Sequence, residues 1–293
     1  MRVLLTGSNG QVGFCLKEQL TDEKAATLLA LDKTQLDITN REAVNAVVNK
    51  FKPTIIINAA AYTAVDKAED DVEQCFAINR DGPLYLAQAA QRIDASILHI
   101  STDYVFEGNK LNEYVESDST NPQGVYGESK LAGELAVAEA CHKHIILRTA
   151  WVFGENGNNF VKTMLRLGAM REKLSVVGDQ FGGPTYAGDI AHALLCIAKK
   201  ITQETQIKYG IYHYSGLPHV SWCEFAEVIF NNAMHQGYLS NNIELESITT
   251  DQYPTPARRP NNSRLNTSKI YKHFSITASD WKKVLNNLAA YTG

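Results

Sequence analysis

Five short aliphatic runs, at residues 2–6, 27–31, 54–58, 96–101 and 144–149, punctuate the first half of the chain. Amphipathic stretches at 12–20, 41–50, 72–91 and 125–140 lie between them. The runs are almost continuously apolar, as strands covered on both faces must be. Strands alternating with helices predict a doubly wound parallel sheet of Rossmann type over residues 1–150. After Trp151 the regularity breaks down. Residues 154–159 and 180–185 read as polar turns, whereas a helix at 187–200 and a run at 211–215 return to the sheet. The return segment of about 187–215 therefore joins the first domain. Residues 151–186 and 216–293 are left for a smaller, mainly C-terminal α/β lobe, in which the stretch beyond 215 reads as loops and short helices.

Composition excludes several classes of function. The 28 Lys and Arg against 32 Asp and Glu leave a formal charge of −4, which offers no footprint for nucleic acid. No apolar stretch approaches the roughly 20 residues that cross a bilayer. The apolar opening Val3-Leu4-Leu5 stops at Thr6-Gly7, too short for the core of a signal peptide. Five scattered cysteines without a CxxC pair predict reduced thiols and a cytoplasmic protein. The eight histidines form no HExxH, so no metal site is expected.

Thr6-Gly7-Ser8-Asn9-Gly10-Gln11-Val12-Gly13 follows the first strand and opens the first helix. The spacing is GxxGxxG rather than the commoner GxGxxG of dinucleotide sites. Gly7 permits a tight turn, Gly10 lets backbone N–H groups approach a pyrophosphate at the positive helix end, and Gly13 allows close helix–strand packing. Asp32 ends the second run, where a carboxylate can hold ribose hydroxyls and favour NADH. Lys33 beside it can accept a 2′-phosphate, so NADPH stays open as well. Asp37-Ile38 suits the edge and face of an adenine, or equally a cap for the helix that begins after Asn40.

Tyr126 and Lys130 stand four apart and so share one face of a helix, about 6 Å of rise from each other. A free phenol has a pKa near 10, and a neighbouring ammonium is expected to lower it. Tyr126 can then protonate a developing alkoxide, and Lys130 can also bind a nicotinamide ribose. Ser101-Thr102-Asp103 follows the fourth run, at a strand end of the kind where open α/β sheets bind ligands. The Thr102 hydroxyl can bond a reacting carbonyl, and Asp103 a sugar hydroxyl.

These four features, together with Asn58-Ala59-Ala60-Ala61, resemble the extended short-chain dehydrogenase/reductase family over nearly the whole chain. Residues 58–69, 101–106, 125–133, 148–152, 159–164, 179–185 and 258–265 are most similar to members that reduce a dTDP-linked 4-keto-6-deoxy sugar. The resemblance implies a reductase using NADPH or NADH on a dTDP-sugar substrate. It implies that Gly10, Gln11 and Val12 meet the pyrophosphate, that Asp32, Asp37 and Ile38 meet the adenosine, and that Ala61, Tyr62 and Thr63 line the cofactor cleft. It gives Thr102, Tyr126 and Lys130 the catalysis, Asp103 and Trp151 the sugar, and Arg258 and Arg259 the diphosphate. Tyr62 stands where the family often has histidine, and it keeps a ring with a polar tip. Some members form homodimers around Mg²⁺ held by carboxylates, one of them just after the glycine loop. Phe14-Cys15 occupies that place here, which argues against a metal-linked dimer and leaves other homodimers open. Related 4,6-dehydratases carry Asp-Glu after the threonine, where this chain has Asp103-Tyr104. An epimerase of the same family and a non-catalytic NAD(P)-binding regulatory subunit are the remaining alternatives.

Overall fold

The computed structural model describes residues 1–291. The chain begins β1 (Arg2–Thr6), α1 (Gln11–Asp22), β2 (Thr27–Leu31), α2 (Arg41–Phe51) and β3 (Ile55–Asn58). Next come α3 (Val65–Ala68), α4 (Val72–Phe76), a π-helical turn at Ala77–Asp81 and α5 (Gly82–Arg92). β4 (Ser96–Thr102), α6 (Val125–Ala140) and β5 (His144–Thr149) complete the first half. β1 to β5 and the later β10 (Gly210–His213) form one parallel sheet in the order β10-β5-β4-β3-β1-β2.

The alternation of side chains along each strand explains the apolar runs. Val3, Leu5, Ile55, Ile57, Leu98, Ile145 and Leu147 face a core shared with α1 and with α8 (Ala187–Gln203). Leu4, Ile56, Ile97 and Ile146 face the opposite core with α2, α5 and α6. The order of the strands reverses direction between β1 and β3, so their C-terminal ends open a crevice at that switch point.

The amphipathic stretch 72–91 is made of α4 and α5 joined without a break by the π turn. Pro83 has no N–H to give to the carbonyl of Asn79, which explains the loss of the regular ladder there. Gly133 of α6 then packs on that carbonyl: a Cβ at Gly133 would lie 2.0 Å from the Asn79 oxygen.

A second body of structure gathers around another core. β6 (Val152–Phe153), α7 (Phe160–Gly168), β7 (Lys173–Val177), β8 (Phe181–Gly182) and β9 (Thr185–Tyr186) precede α8. β11 (Val220–Ser221), α9 (Trp222–His235), β12 (Glu244–Ile248), β13 (Asn262–Ser263), α10 (Ser268–Phe274) and α11 (Trp281–Val284) follow β10. Phe153, Met164, Leu174, Phe225, Ile229 and Trp281 form the centre of this core. Here the reading of loops and short helices is corrected. α9 has 14 residues, and Ser221 with Glu224 closes its start in a reciprocal capping box. The supposed turn at 180–185 contains β8 and β9; β8 pairs with β11 and β13, and β9 with β6. α10 packs with Ile270 and Phe274 on the core of the large sheet. Among the described residues no helix is long and apolar enough to cross a membrane.

Gly133→Ala should destabilise the protein by about 1–3 kcal/mol, because the methyl group meets a fixed carbonyl oxygen. Urea titration of the two proteins checks this.

Candidate active site

The crevice is lined first by the glycine loop. Gly7 has φ +72°, and a Cβ there would lie 2.5 Å from the Ala60 nitrogen, so the loop after β1 presses on the chain after β3. A Cβ at Gly13 would lie 2.0 Å from the Gly7 oxygen. α1 starts at Gly10 with no side-chain cap and no acidic residue in its first turn, which leaves its positive end free for an anion. The Val12 side chain is buried in the core, so its main chain is the part left to a ligand. Gln11 reaches across to accept a hydrogen bond from Asn159 at 3.1 Å.

The Asp32 carboxylate accepts from Asn9 Nδ2 at 2.7 Å and from the N–H and hydroxyl of Thr34 at 2.8 and 2.6 Å. These bonds, the Thr34 hydroxyl first, hold it below the usual carboxylate range. Asp37 is exposed and accepts from the Thr39 N–H and hydroxyl. Ile38 is buried against Gly82, so its side chain is committed to the core. Tyr62, between Ala61 and Thr63, donates its N–H to Asn79 Oδ1 at 2.8 Å and its hydroxyl to Asp71 Oδ2 at 2.8 Å.

Thr102 and Asp103 close β4, and both are buried. The Thr102 hydroxyl donates to Asp103 Oδ1 at 3.0 Å and accepts from the Tyr104 N–H at 3.2 Å. Asp103 Oδ2 is buried without a hydrogen-bond partner. Burial pushes this carboxyl up to about 6, against the opposing pull of Ser263 and Thr102. A buried acceptor without a donor is an invitation to a ligand hydroxyl.

α6 brings Tyr126 and Lys130 to the same end of the sheet. Tyr126 is half-buried and meets Tyr104 edge-on, with ring centroids 5.4 Å apart. Lys130 is 2% exposed and donates to the Ile100 carbonyl at 2.7 Å. Burial brings its ammonium down to about 8, although Glu134 works in the other direction. The direction expected for Tyr126 is corrected. Burial raises the phenol above its ordinary value, and a hydrogen bond with Thr102 only partly offsets the rise. Desolvation is the largest influence on the phenol, and the same burial disfavours the charge of Lys130.

Trp151 holds a left-handed backbone, φ +48°, and stacks on Trp222 with centroids 3.5 Å apart. Gly182 makes room for the indole, since a Cβ there would lie 2.5 Å from Trp151 Cε2. Arg258 is exposed and donates to Gln123 at 3.1 Å. Arg259 is not a free charge: it pairs with Asp66 at 2.6 Å and reaches the Tyr104 hydroxyl, while its Nη1 is buried without a partner. The structure thus gathers Thr102, Asp103, Tyr126 and Lys130 at one strand end. It also introduces Tyr104, Asp66, Asn79, Trp222 and Ser263, which sequence reasoning passed over. Tyr104 and Asp66 lie inside stretches already singled out by resemblance, so that signal was available. Ser263 also lies in such a stretch, 258–265, whereas Asn79 and Trp222 enter only through tertiary contact.

The family described as the RmlD substrate binding domain matches residues 1–292. The chain is 51% identical over 290 residues to the dTDP-4-dehydrorhamnose reductase of Aggregatibacter actinomycetemcomitans, covering 99% of each chain. The chain belongs to the dTDP-4-dehydrorhamnose reductase family. Two solved structures agree in fold over nearly the full length. The dTDP-4-dehydrorhamnose reductase of Clostridium acetobutylicum is 40% identical, with TM-score 0.89 over 98% of this chain and 97% of that one. The Bacillus anthracis enzyme, in complex with NADP, is 39% identical, with TM-score 0.88 over 97% and 96%. The dTDP-4-dehydrorhamnose reductases are NAD(P)H-dependent oxidoreductases of dTDP-rhamnose biosynthesis. The residues present fit such a cofactor: the start of α1 is uncapped, and at Gly10 a Cβ would meet nothing nearer than the Gly7 oxygen at 3.4 Å, which leaves the loop backbone open to an anion. Among the described residues no group of three or more His, Cys, Asp or Glu is gathered as a metal site.

Asp103 gives a test with a definite sign. Its value in the folded protein, about 6, lies above the usual 3.8, so the folded protein holds this proton more tightly. The associated stability is complete below about pH 4 and is lost as the pH rises through 6. Asp103→Asn should flatten that slope and raise stability at pH 7.5 by about 1–3 kcal/mol. Thermal unfolding at pH 5 and 7.5 measures both effects.

Proposed function

We propose that Thr102, Tyr126 and Lys130 carry out the reduction of the C4 ketone of dTDP-4-dehydro-β-L-rhamnose to dTDP-β-L-rhamnose. The supporting observation is the gathering of two hydroxyls and a buried amine at the C-terminal end of β4, beside the glycine-loop crevice. When bound, the reduced nicotinamide supplies the hydride. Tyr126 gives its proton to the ketone oxygen. A phenol raised by burial is fully protonated near neutrality, and an alkoxide is a far stronger base than the phenolate left behind. Thr102 orients the oxygen through its hydroxyl. Below about pH 8 Lys130 is an ammonium, whose charge favours the phenolate as it forms. Lys130 also holds the nicotinamide ribose.

Gly10, Gln11 and Val12 hold the pyrophosphate in a loop shaped by the turn at Gly7 and the close packing at Gly13; Asp32, Asp37 and Ile38 hold the adenosine, and Ala61, Tyr62 and Thr63 the cleft wall. Both NADPH and NADH serve: Asp32 faces the ribose position with its charge already spread over several donors, and exposed Lys33 can meet a 2′-phosphate. Residues 151–186 and 216–293, of which 292 and 293 lie outside the described residues, supply the sugar-nucleotide side. There Trp151 packs on the sugar, Asp103 bonds a hydroxyl from the strand end, and Arg258 and Arg259 take the diphosphate.

Tyr126→Phe should lower kcat by about 10²–10⁴ while circular dichroism and thermal unfolding stay near those of the unsubstituted protein. Turnover is followed as oxidation of NADPH with the 4-keto sugar nucleotide; near-normal turnover would overturn the assignment. Asp32→Ala should shift the ratio of kcat/KM values toward NADPH by about tenfold, equivalent to removing one charge repulsion.

A further inference from the structure

α6 begins at Gly124, which has no side chain to close the first turn of the helix. The closure comes from a distant part of the chain. Glu69 Oε1 accepts a hydrogen bond from the Val125 N–H at 3.0 Å, across a separation of 56 residues. Tyr126 is the next residue. A Cβ at Gly124 would lie 2.7 Å from the same Glu69 oxygen, so the glycine keeps open the space that the carboxylate occupies. The carboxylate also sits at the positive end of the helix dipole.

Glu69 is itself well anchored. It follows directly on α3, whose Ala68 is fully buried and whose Asp66 binds both Arg259 and the Ala257 N–H. The turn after it is closed by bonds from the Asp70 and Asp71 N–H groups to the Lys67 carbonyl. A rigid acceptor thus meets the first N–H of the helix that carries the acid. On the far side of that turn Gly127 presses on the Tyr104 carbonyl, where a Cβ would lie at 2.3 Å. The first turn of α6 is therefore clamped between Glu69 and Tyr104.

We infer that Glu69 is a positioning residue for Tyr126: by closing the first turn of α6 from outside the helix, its carboxylate fixes where the phenol meets the reacting oxygen. The inference rests on Tyr126 being the acid. A helix start without a cap frays, and a misplacement of about 1 Å at a reacting group can cost about 100-fold in rate. A merely stabilising cap would instead lower the melting temperature and leave turnover of the folded protein unchanged.

The test compares Glu69→Ala, Glu69→Gln, Gly124→Ala and the double variant Glu69→Ala/Gly124→Ala, with Tyr126→Phe alongside, in saturating NADPH at a temperature where all are folded. Glu69→Ala should lower kcat about tenfold, with KM for the sugar nucleotide and for NADPH within about twofold. Glu69→Gln should keep most of kcat, because its amide oxygen accepts the same bond. Gly124→Ala should match Glu69→Ala, since its methyl group displaces the carboxylate, and the double variant should lose no more than either single one. If Glu69→Ala fails to fold, Gly124→Ala and Glu69→Gln make the same comparison. Unchanged kcat in Glu69→Ala or Gly124→Ala, or losses that multiply in the double variant, would overturn the inference while an inactive Tyr126→Phe left the acid assignment standing. Normal turnover in Tyr126→Phe would remove both.

Discussion

A buried ion pair locks α6, the helix that carries Tyr126 and Lys130, to the sheet. Arg148 on β5 donates through Nε and Nη2 to the two carboxylate oxygens of Glu134 on α6, at 2.9 and 2.6 Å, and both side chains are almost fully buried. The guanidinium also lies 4.9 Å from the centre of the Phe106 ring. Such a pair adds little net stability compared with apolar packing, but either partner alone would be a costly buried charge. Its value is directional, because a two-pronged bond admits one orientation of the helix. Lys130, one turn before Glu134, makes the second tie through the Ile100 carbonyl of β4. Two polar bonds from successive turns of α6 to adjacent strands leave it no freedom to roll.

Much of the first half was legible because its physics is local. Runs such as Ile55-Ile56-Ile57 declare a strand buried on both faces, and the pattern at 125–140 matches α6 residue for residue. The second half depends on partners far away in the chain. β6, β8, β9, β11 and β13 have two residues each, too few to show a period. α9 was missed despite a readable sign, Ser221 with Glu224 three residues later, because the surrounding sequence is rich in turn formers.

The candidate site divides in the same way. Residue types and spacing pointed to Thr102, Asp103, Tyr126 and Lys130. They could not give the direction in which Tyr126 shifts, since spacing counts a nearby amine but not the water removed from both groups. They could not show that Arg259 is already engaged by Asp66 or that Trp151 leans on Trp222. Asp103 holds a buried oxygen with no donor, and Lys130 is a buried amine. Each is a local cost to the fold, and such costs collect where a ligand is meant to supply the missing partner.

The proline that interrupts the ladder before α5 has a consequence for the evolution of this enzyme. With the Asn79 carbonyl released and Gly133 seated on it, two helices touch backbone to backbone, and that contact sets the axial register of α6. One residue inserted between Tyr126 and Gly133 would turn the phenol by about 100° around the helix, away from Thr102. This stretch can therefore change by substitution but not by insertion without turning the two residues against each other.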